Sequence, residues 1–162
     1  MNQVLRIAVN GTLREVDAGG FEHLLELLRE ELGLTGTKSG CESRSCGACT
    51  ILLDDSTALA CAIRPESVGG GRVLTIEGLA DGPDVLHAVQ QAFLDEQVGQ
   101  CGWCTPAQVL TAVALLREVT DPGPDLIRRR LSAVLCRCGT YERAVAAVAR
   151  AAATASARSG AE

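Results

Sequence analysis

Aromatic residues are scarce in this chain: two Phe, one Trp and one Tyr among 162 residues, about 2% of the sequence. A core must therefore be built from Leu, Val, Ile and Ala, and the hydrophobic content of 47% is ample for one. An excess of positive charge is also missing. Fifteen Lys and Arg stand against twenty Asp and Glu, a net charge of −5, so the basic footprint of a nucleic-acid-binding protein is not expected. The single basic run, Arg128-Arg129-Arg130, falls on an expected helix and reads as a solvated face, with contact to a partner chain the sharper alternative. No apolar stretch approaches the roughly 20 residues of a membrane-spanning helix. Met1-Asn2-Gln3-Val4 leads into alternating sequence rather than a secretory leader. The expected compartment is the cytoplasm, where structural disulfides are rare, or export as a folded complex on a partner's signal. Histidine is nearly absent too. His23 and His87 both fall on expected helices and read as surface or core-edge residues.

Cysteine is what the chain has in abundance. Its eight cysteines fall into two groups of four with none left over. Cys41, Cys46 and Cys49 follow a C-x4-C-x2-C spacing, and Cys61 comes after eleven intervening residues. Cys101 and Cys104 form a C-x-x-C pair, and Cys136 and Cys138 a C-x-C pair that begins after thirty-one intervening residues. The first spacing is that of a plant-type [2Fe–2S] ferredoxin loop, and each such cluster takes four thiolates. Two groups of four suggest two one-electron carriers in one chain. The second set does not match the paired C-x-x-C knuckles of a zinc ribbon. A zinc-stabilised adaptor and a free-standing ferredoxin remain as rivals. Colour and a paramagnetic signal on reduction exclude zinc, which has no redox chemistry.

The chain divides in two. Val4 to Val9 alternates, Asn10-Gly11 is a strong hairpin signal, and Thr12 to Asp17 reads as the returning strand. Phe21, Leu24, Leu25, Leu28 and Leu32 recur at helical spacing up to Gly33. Gly40 to Cys49 is a loop without periodicity, in which Gly40, Gly47 and Ala48 leave room for close wrapping. Thr50–Leu53, Ala58–Ile63 and Val73–Ile76 are expected strands, which puts Cys61 on a strand. Ala80-Asp81-Gly82-Pro83 has the turn chemistry of a domain boundary. Helices are then expected from Asp84 as N-cap, from Thr105 with Pro106 and a capping box closed by Gln108, over Leu126 to Leu135, and from Tyr141 to about Ala153. The domains are set at 1–79 and 84–155, with a flexible tail over 156–162. The fold class is α+β, and its four C-terminal helices form a small bundle. Two domains of under about 90 residues each are marginal on packing alone, and metal clusters supply the missing restraint. Trp103, between two cysteines, reads as packing or as an anchor for a partner. Tyr141 reads as packing, and Asp81, Asp84 and Asp121 as turn and cap residues.

Gly40-Cys41 through Cys46-Gly47-Ala48-Cys49-Thr50, Gln100-Cys101-Gly102-Trp103-Cys104-Thr105-Pro106, and Leu135-Cys136-Arg137-Cys138-Gly139-Thr140-Tyr141 together resemble the small iron–sulfur subunit of xanthine-oxidase-family molybdenum hydroxylases. Leu32 to Lys38 and Thr75 to Leu79 fit the same pattern, so the likeness covers almost the whole chain. The resemblance implies an N-terminal β-grasp ferredoxin-like domain and a C-terminal four-helix bundle, each holding one [2Fe–2S] cluster. It implies metal ligation by Cys41, Cys46, Cys49 and Cys61 in the first and by Cys101, Cys104, Cys136 and Cys138 in the second. In that family the helical domain's cluster lies nearest a molybdopterin, of the cytosine dinucleotide type, in a separate large subunit. The residues matching Gln100 and Cys138 approach the pterin there, and the plant-type cluster faces a medium FAD-binding subunit or a cytochrome.

The resemblance further implies that the molybdenum centre hydroxylates a substrate carbon while this chain, with no catalytic residue, carries the electrons away. An aldehyde or N-heterocycle is the expected substrate class, with carbon monoxide and purines open. Two departures stand out. Ser39 replaces a bulkier residue before Gly40-Cys41, so packing beside the first cluster is expected to be looser. The order Gly139-Thr140 inverts the commoner Thr-Gly and resembles isoquinoline- and nicotinate-oxidising members, some of which lack a flavin subunit.

Overall fold

The computed structural model describes residues 4–80, 82 and 85–159. β1 (Val4–Val9) and β2 (Thr12–Asp17) pair antiparallel, Val4 opposite Asp17 and Val9 opposite Thr12. Asn10 and Gly11 make the turn with φ of 51° and 75°, the left-handed pair that a two-residue hairpin of this twist needs. The Asn10 side chain then ties the hairpin to the residue just past Leu74, at the end of the strand beside β1: its Oδ1 accepts the Thr75 N–H and its Nδ2 donates to the Thr75 Oγ1, each at 2.9 Å.

The other strands are β3 (Thr50–Leu53), β4 (Ser56–Leu59) and β5 (Arg72–Leu74), giving a mixed sheet ordered β2-β1-β5-β3-β4 with β1 and β5 parallel. β4 begins and ends earlier than the apolar run suggests, and Ala60–Ala62 is a 3-10 turn. Cys61 therefore stands on that turn and not on a strand. β5 likewise ends at Leu74, and Ile76–Gly78 is a second 3-10 turn.

The helix expected after Gly20 is short and irregular. α1 spans Leu24–Glu26 and widens into a π-helical stretch over Leu27–Glu31, which Gly33 ends at φ +67°. Leu24, Leu27 and Leu28 are fully buried against Ile7, Ile51 and Val73. β3 is buried on both faces because side chains alternate along a strand. Ile51 joins that first core, whereas Leu52 packs into the core of the helices with Leu110 and Val113. The sheet thus carries α1 on one face and the helical unit on the other.

That unit has four helices: α2 (Ala88–Asp95), α3 (Thr105–Glu118), α4 (Pro124–Leu131) and α5 (Tyr141–Ser159). α2 starts three residues later than the pattern from Val85 suggests, and Val85 and Leu86 are exposed. The expected cap Asp84, like Asp81, lies outside the described residues. His87 takes the N-cap position, and its Nδ1 accepts the Val89 N–H at 3.2 Å. α4 stops at Leu131, so Cys136 follows a turn rather than a helix end. α5 continues to Ser159, past Ala153 where the pattern ends it and into the segment expected as a flexible tail. Two of the three arginines of the 128–130 run are taken up within the unit, while Arg129 is exposed. Arg128 pairs with Glu142 of α5 at 2.8 Å, and Arg130 pairs with Glu118 of α3. Among the described residues no helix is long and apolar enough to cross a membrane.

Candidate functional site

The two cysteine sets form two sites, an outer one on the sheet unit and an inner one on the helical unit. Cys41, Cys46 and Cys49 come from the irregular loop before β3, and the Ala60–Ala62 turn brings Cys61 to them, with its Sγ 3.2 Å from that of Cys49. The Ala48 N–H points at the Cys46 Sγ at 3.5 Å. The loop is held by Thr50, whose N–H and hydroxyl both donate to the Gly47 carbonyl, at 3.1 and 2.7 Å. Two glycines are sterically required. A Cβ on Gly40 would lie 2.9 Å from the Cys46 Sγ, and one on Gly47, at φ +72°, would run into the Ala133 carbonyl. Ser39 is exposed and lines a cleft of about 410 Å³ beside Cys41 and Cys61, the open packing expected from its small side chain.

The inner site sits where the N-terminus of α3 meets the turn beyond α4. Cys101 and Cys104 precede α3, Cys136 and Cys138 precede α5, and the Sγ atoms of Cys101 and Cys138 are 3.5 Å apart. Both pairs lie at helix N-termini, where the helix dipole favours negative charge. The Cys136 N–H donates to the Tyr141 hydroxyl at 2.6 Å, and the Cys136 Sγ lies 3.3 Å from the Thr140 Oγ1. Tyr141 packs against this cluster of side chains, as expected, and its hydroxyl also closes the loop that carries Cys136 and Cys138, a role no local pattern signals.

The sulfurs of each set sort into two pairs. Cys49 lies with Cys61 and Cys41 with Cys46; Cys101 lies with Cys138 and Cys104 with Cys136. Among the described residues no three His, Cys, Asp or Glu side chains converge as one ion would require. Two pairs per set fit a two-iron cluster, which has two thiolates on each iron, better than a single tetrahedral zinc.

Protonation divides along the same lines. Backbone N–H of Cys46, followed by its side chain, holds the Cys41 thiol down to about 6. Burial, followed by the neighbouring Cys49, pushes Cys61 up to about 12. In the inner set burial and the Cys136 thiol push Cys104 up to about 12. Burial also works upward on Cys136, but hydrogen bonds from Thr140 and its surroundings outweigh it and bring the thiol down to about 7. The backbone N–H of Trp103 lowers Cys101.

Between the sites lies a cavity of about 200 Å³ bordered by Gly40, Cys46, Trp103, Cys104 and Leu135. Across it the Leu135 N–H donates to the Cys46 carbonyl at 2.8 Å. Trp103 is half exposed, with the Lys38 Nζ 5.7 Å from its ring centroid, so it spans the seam between the units. Gln100 is exposed beside Cys101. The expected Thr105–Gln108 capping box is not formed: Cys104 is the N-cap of α3, and the Gln108 side chain is buried with neither polar atom hydrogen-bonded. Leaving such a group unsatisfied costs about 1–3 kcal/mol.

Known proteins carry the same arrangement. A 2Fe-2S iron–sulfur cluster binding domain matches residues 7–66, and a [2Fe-2S] binding domain matches residues 75–149. One subunit of the nicotinate dehydrogenase of Pseudomonas putida is 44% identical over 154 residues, covering 95% of this chain and 98% of its own. Quinoline 2-oxidoreductase from Pseudomonas putida 86 superposes with a TM-score of 0.86 at 39% identity, covering 96% of this chain and 98% of that one. The aldehyde oxidoreductase of Desulfovibrio desulfuricans superposes with a TM-score of 0.90 at 36% identity over 96% of this chain, which spans only 17% of that much longer polypeptide. With two cluster-binding domains in this order and near full-length identity at this level, the chain belongs to the small iron–sulfur subunits of the xanthine-oxidase-family molybdenum hydroxylases, as a non-catalytic electron-transfer subunit.

Proposed function

We propose that this chain relays single electrons from the molybdenum cofactor of a large partner subunit through the inner site, then the outer site, to a flavin subunit or a cytochrome. Each [2Fe–2S] cluster, when bound, takes up and gives up one electron. The observation that supports transfer between the two sites is the hydrogen bond from the Leu135 N–H to the Cys46 carbonyl at 2.8 Å. Leu135 precedes Cys136 of the inner set, and Cys46 belongs to the outer set, so one hydrogen bond joins the backbones that would hold the two clusters.

In this reading Cys101, Cys104, Cys136 and Cys138 hold the inner cluster, and Cys41, Cys46, Cys49 and Cys61 the outer one. Gln100 and Cys138 face the molybdopterin. Exposure of Gln100, Cys101 and the half-exposed Trp103 on one edge supports a partner there, since aromatic side chains often anchor interfaces. Likeness to a nicotinate dehydrogenase component supports an N-heterocycle as substrate, with an aldehyde as second choice. Eight free thiols in two sets support assembly in the cytoplasm.

The test is purification of the complex from its native host. The expected result is a large molybdenum-containing chain, together with a flavoprotein or cytochrome, and anaerobic bleaching of both clusters by a pyridine carboxylate or related heterocycle. Recovery of the chain alone, with both clusters intact and reduced only by dithionite, would overturn the relay in favour of a free carrier.

A further inference from the structure

Gln108 stands one turn beyond Cys104 on the same face of α3, and its backbone N–H donates to the Cys104 carbonyl at 3.0 Å. Its side chain is fully buried, and neither Nε2 nor Oε1 has a hydrogen-bond partner among the described residues. Buried amides in folded proteins are nearly always paired, so one without a partner points to a group not supplied by the protein. The next buried hydroxyl along the helix, that of Thr111, donates instead to the Ala107 carbonyl at 2.8 Å. Helical side chains lean toward the N-terminus of their helix, and that end of α3 carries Cys101 and Cys104. Ala107, just before Gln108, packs with Cys104, Val134 and Cys136. An amide leaning that way would reach the wall of the inner site, where a bound cluster would carry negative charge on sulfur.

We infer that Gln108 is a positioning residue of the inner site, its carboxamide N–H donating to the sulfur atoms held there and raising the reduction potential of that cluster relative to the outer one. An N–H aimed at sulfur stabilises the reduced, more negative form. Potential, in turn, decides whether the inner cluster accepts an electron readily from its donor. This inference rests on the inner cysteines holding a [2Fe–2S] cluster, as proposed above. A buried water in place of cluster sulfur is the competing partner.

The experiment is a redox titration of the intact complex followed by EPR, comparing the natural protein with Gln108→Met. Methionine keeps the length and volume of the side chain but has no N–H. A Cys101→Ser variant, by altering one g-tensor, marks which signal is the inner one. The expected result is a fall in the inner cluster's midpoint that shifts its reduced-to-oxidised ratio by about tenfold, ~59 mV for one electron, with the outer midpoint unmoved. Unmoved midpoints, a shift of the outer cluster alone or an equal shift of both would overturn the inference. Should Gln108→Met fail to accumulate, the natural complex labelled with amide 15N-glutamine answers the same question. Pulsed EPR of the reduced inner cluster then shows a 15N coupling if the amide is bonded to it, and none if it is not. Two [2Fe–2S] signals in the natural complex separate a failure of this inference from a failure of the cluster assignment, in which fewer than two appear.

Discussion

Single residues set the chemistry of each cysteine, and the two sets are poised alike. Each has at least one thiol that ionises easily and at least one that burial raises: Cys41 at about 6 against Cys61 at about 12, with Cys46 raised as well, and Cys136 at about 7 against Cys104 at about 12. Thiolate is the reactive form. In metal-free protein at pH 7, iodoacetamide should therefore label Cys41 and the exposed, lowered Cys101 at least about tenfold faster than Cys61 and Cys104, as read by peptide mass spectrometry. Uniform labelling would contradict this. Cluster binding needs all four thiolates, so loading must strip the protons from Cys61 and Cys104 and release them. The sign is fixed: reconstitution weakens as pH falls. Visible absorbance after reconstitution should fall most steeply as the pH is lowered through about 7 and about 6, where Cys136 and Cys41 take up protons as well. Tyr141 gives a second residue-scale prediction. Tyr141→Phe removes only the hydroxyl that accepts the Cys136 N–H, at a cost of about 1 kcal/mol. The inner EPR signal should be lost faster to a chelator while the outer one keeps its rate. The cysteine sets were legible in the sequence because covalent ligation demands particular residues at particular spacings. Tyr141 and Gln108 were not, since what they touch is decided by the turn beyond α4 and by which residue caps α3.

At the scale of elements, local chemistry was readable where one residue type dictates the backbone. Asn10-Gly11 forms the turn it announces, and β3 spans the four residues expected of it. Periodicity failed where a ligand loop or a tight contact overrides it. Leu24 to Leu32 repeats like an ordinary helix, yet the chain widens to π geometry over Leu27–Glu31, a difference of one residue per turn that a hydrophobic pattern does not resolve. The apolar run Ala58–Ile63 looks like one strand, but Cys61 must turn back toward the 41–49 loop, and the chain bends at Ala60–Ala62 to do so. Thr105 to Gln108 has the letters of a capping box one position out of place, because Cys104 already occupies the cap. The outer loop also reaches across to the helical unit. Gly47 sits against the Ala133 carbonyl, beside the Cys46–Leu135 hydrogen bond. Gly47→Ala should cost about 1–2 kcal/mol for its left-handed backbone alone and more for the contact with Ala133. Its expected signature is a lower melting temperature together with perturbed EPR of the outer cluster. An unchanged melting temperature would mean that the loop does not bear on the helical unit.

Seen whole, the molecule is two cores joined along β3. Ile51 faces one core and Leu52 the other, so the strand after the outer cysteine loop is also the platform for α3, which begins at the inner one. Each core is small and almost free of aromatic side chains, and each carries four cysteines at its margin. The division into a sheet unit and a helical unit was legible from the shift between period-two and helical patterns. The way they dock was not, because it depends on Leu52, Gly47 and Leu135, residues that carry no motif of their own. The seam puts the two cysteine sets on either side of the Leu135–Cys46 backbone hydrogen bond, the placement that supports the proposed relay. The most direct test is rapid freeze-quench EPR of the intact complex mixed anaerobically with its reducing substrate. The account predicts that the inner signal rises first and the outer signal follows at its expense. An outer signal that rises first, or independently of the inner one, would contradict it.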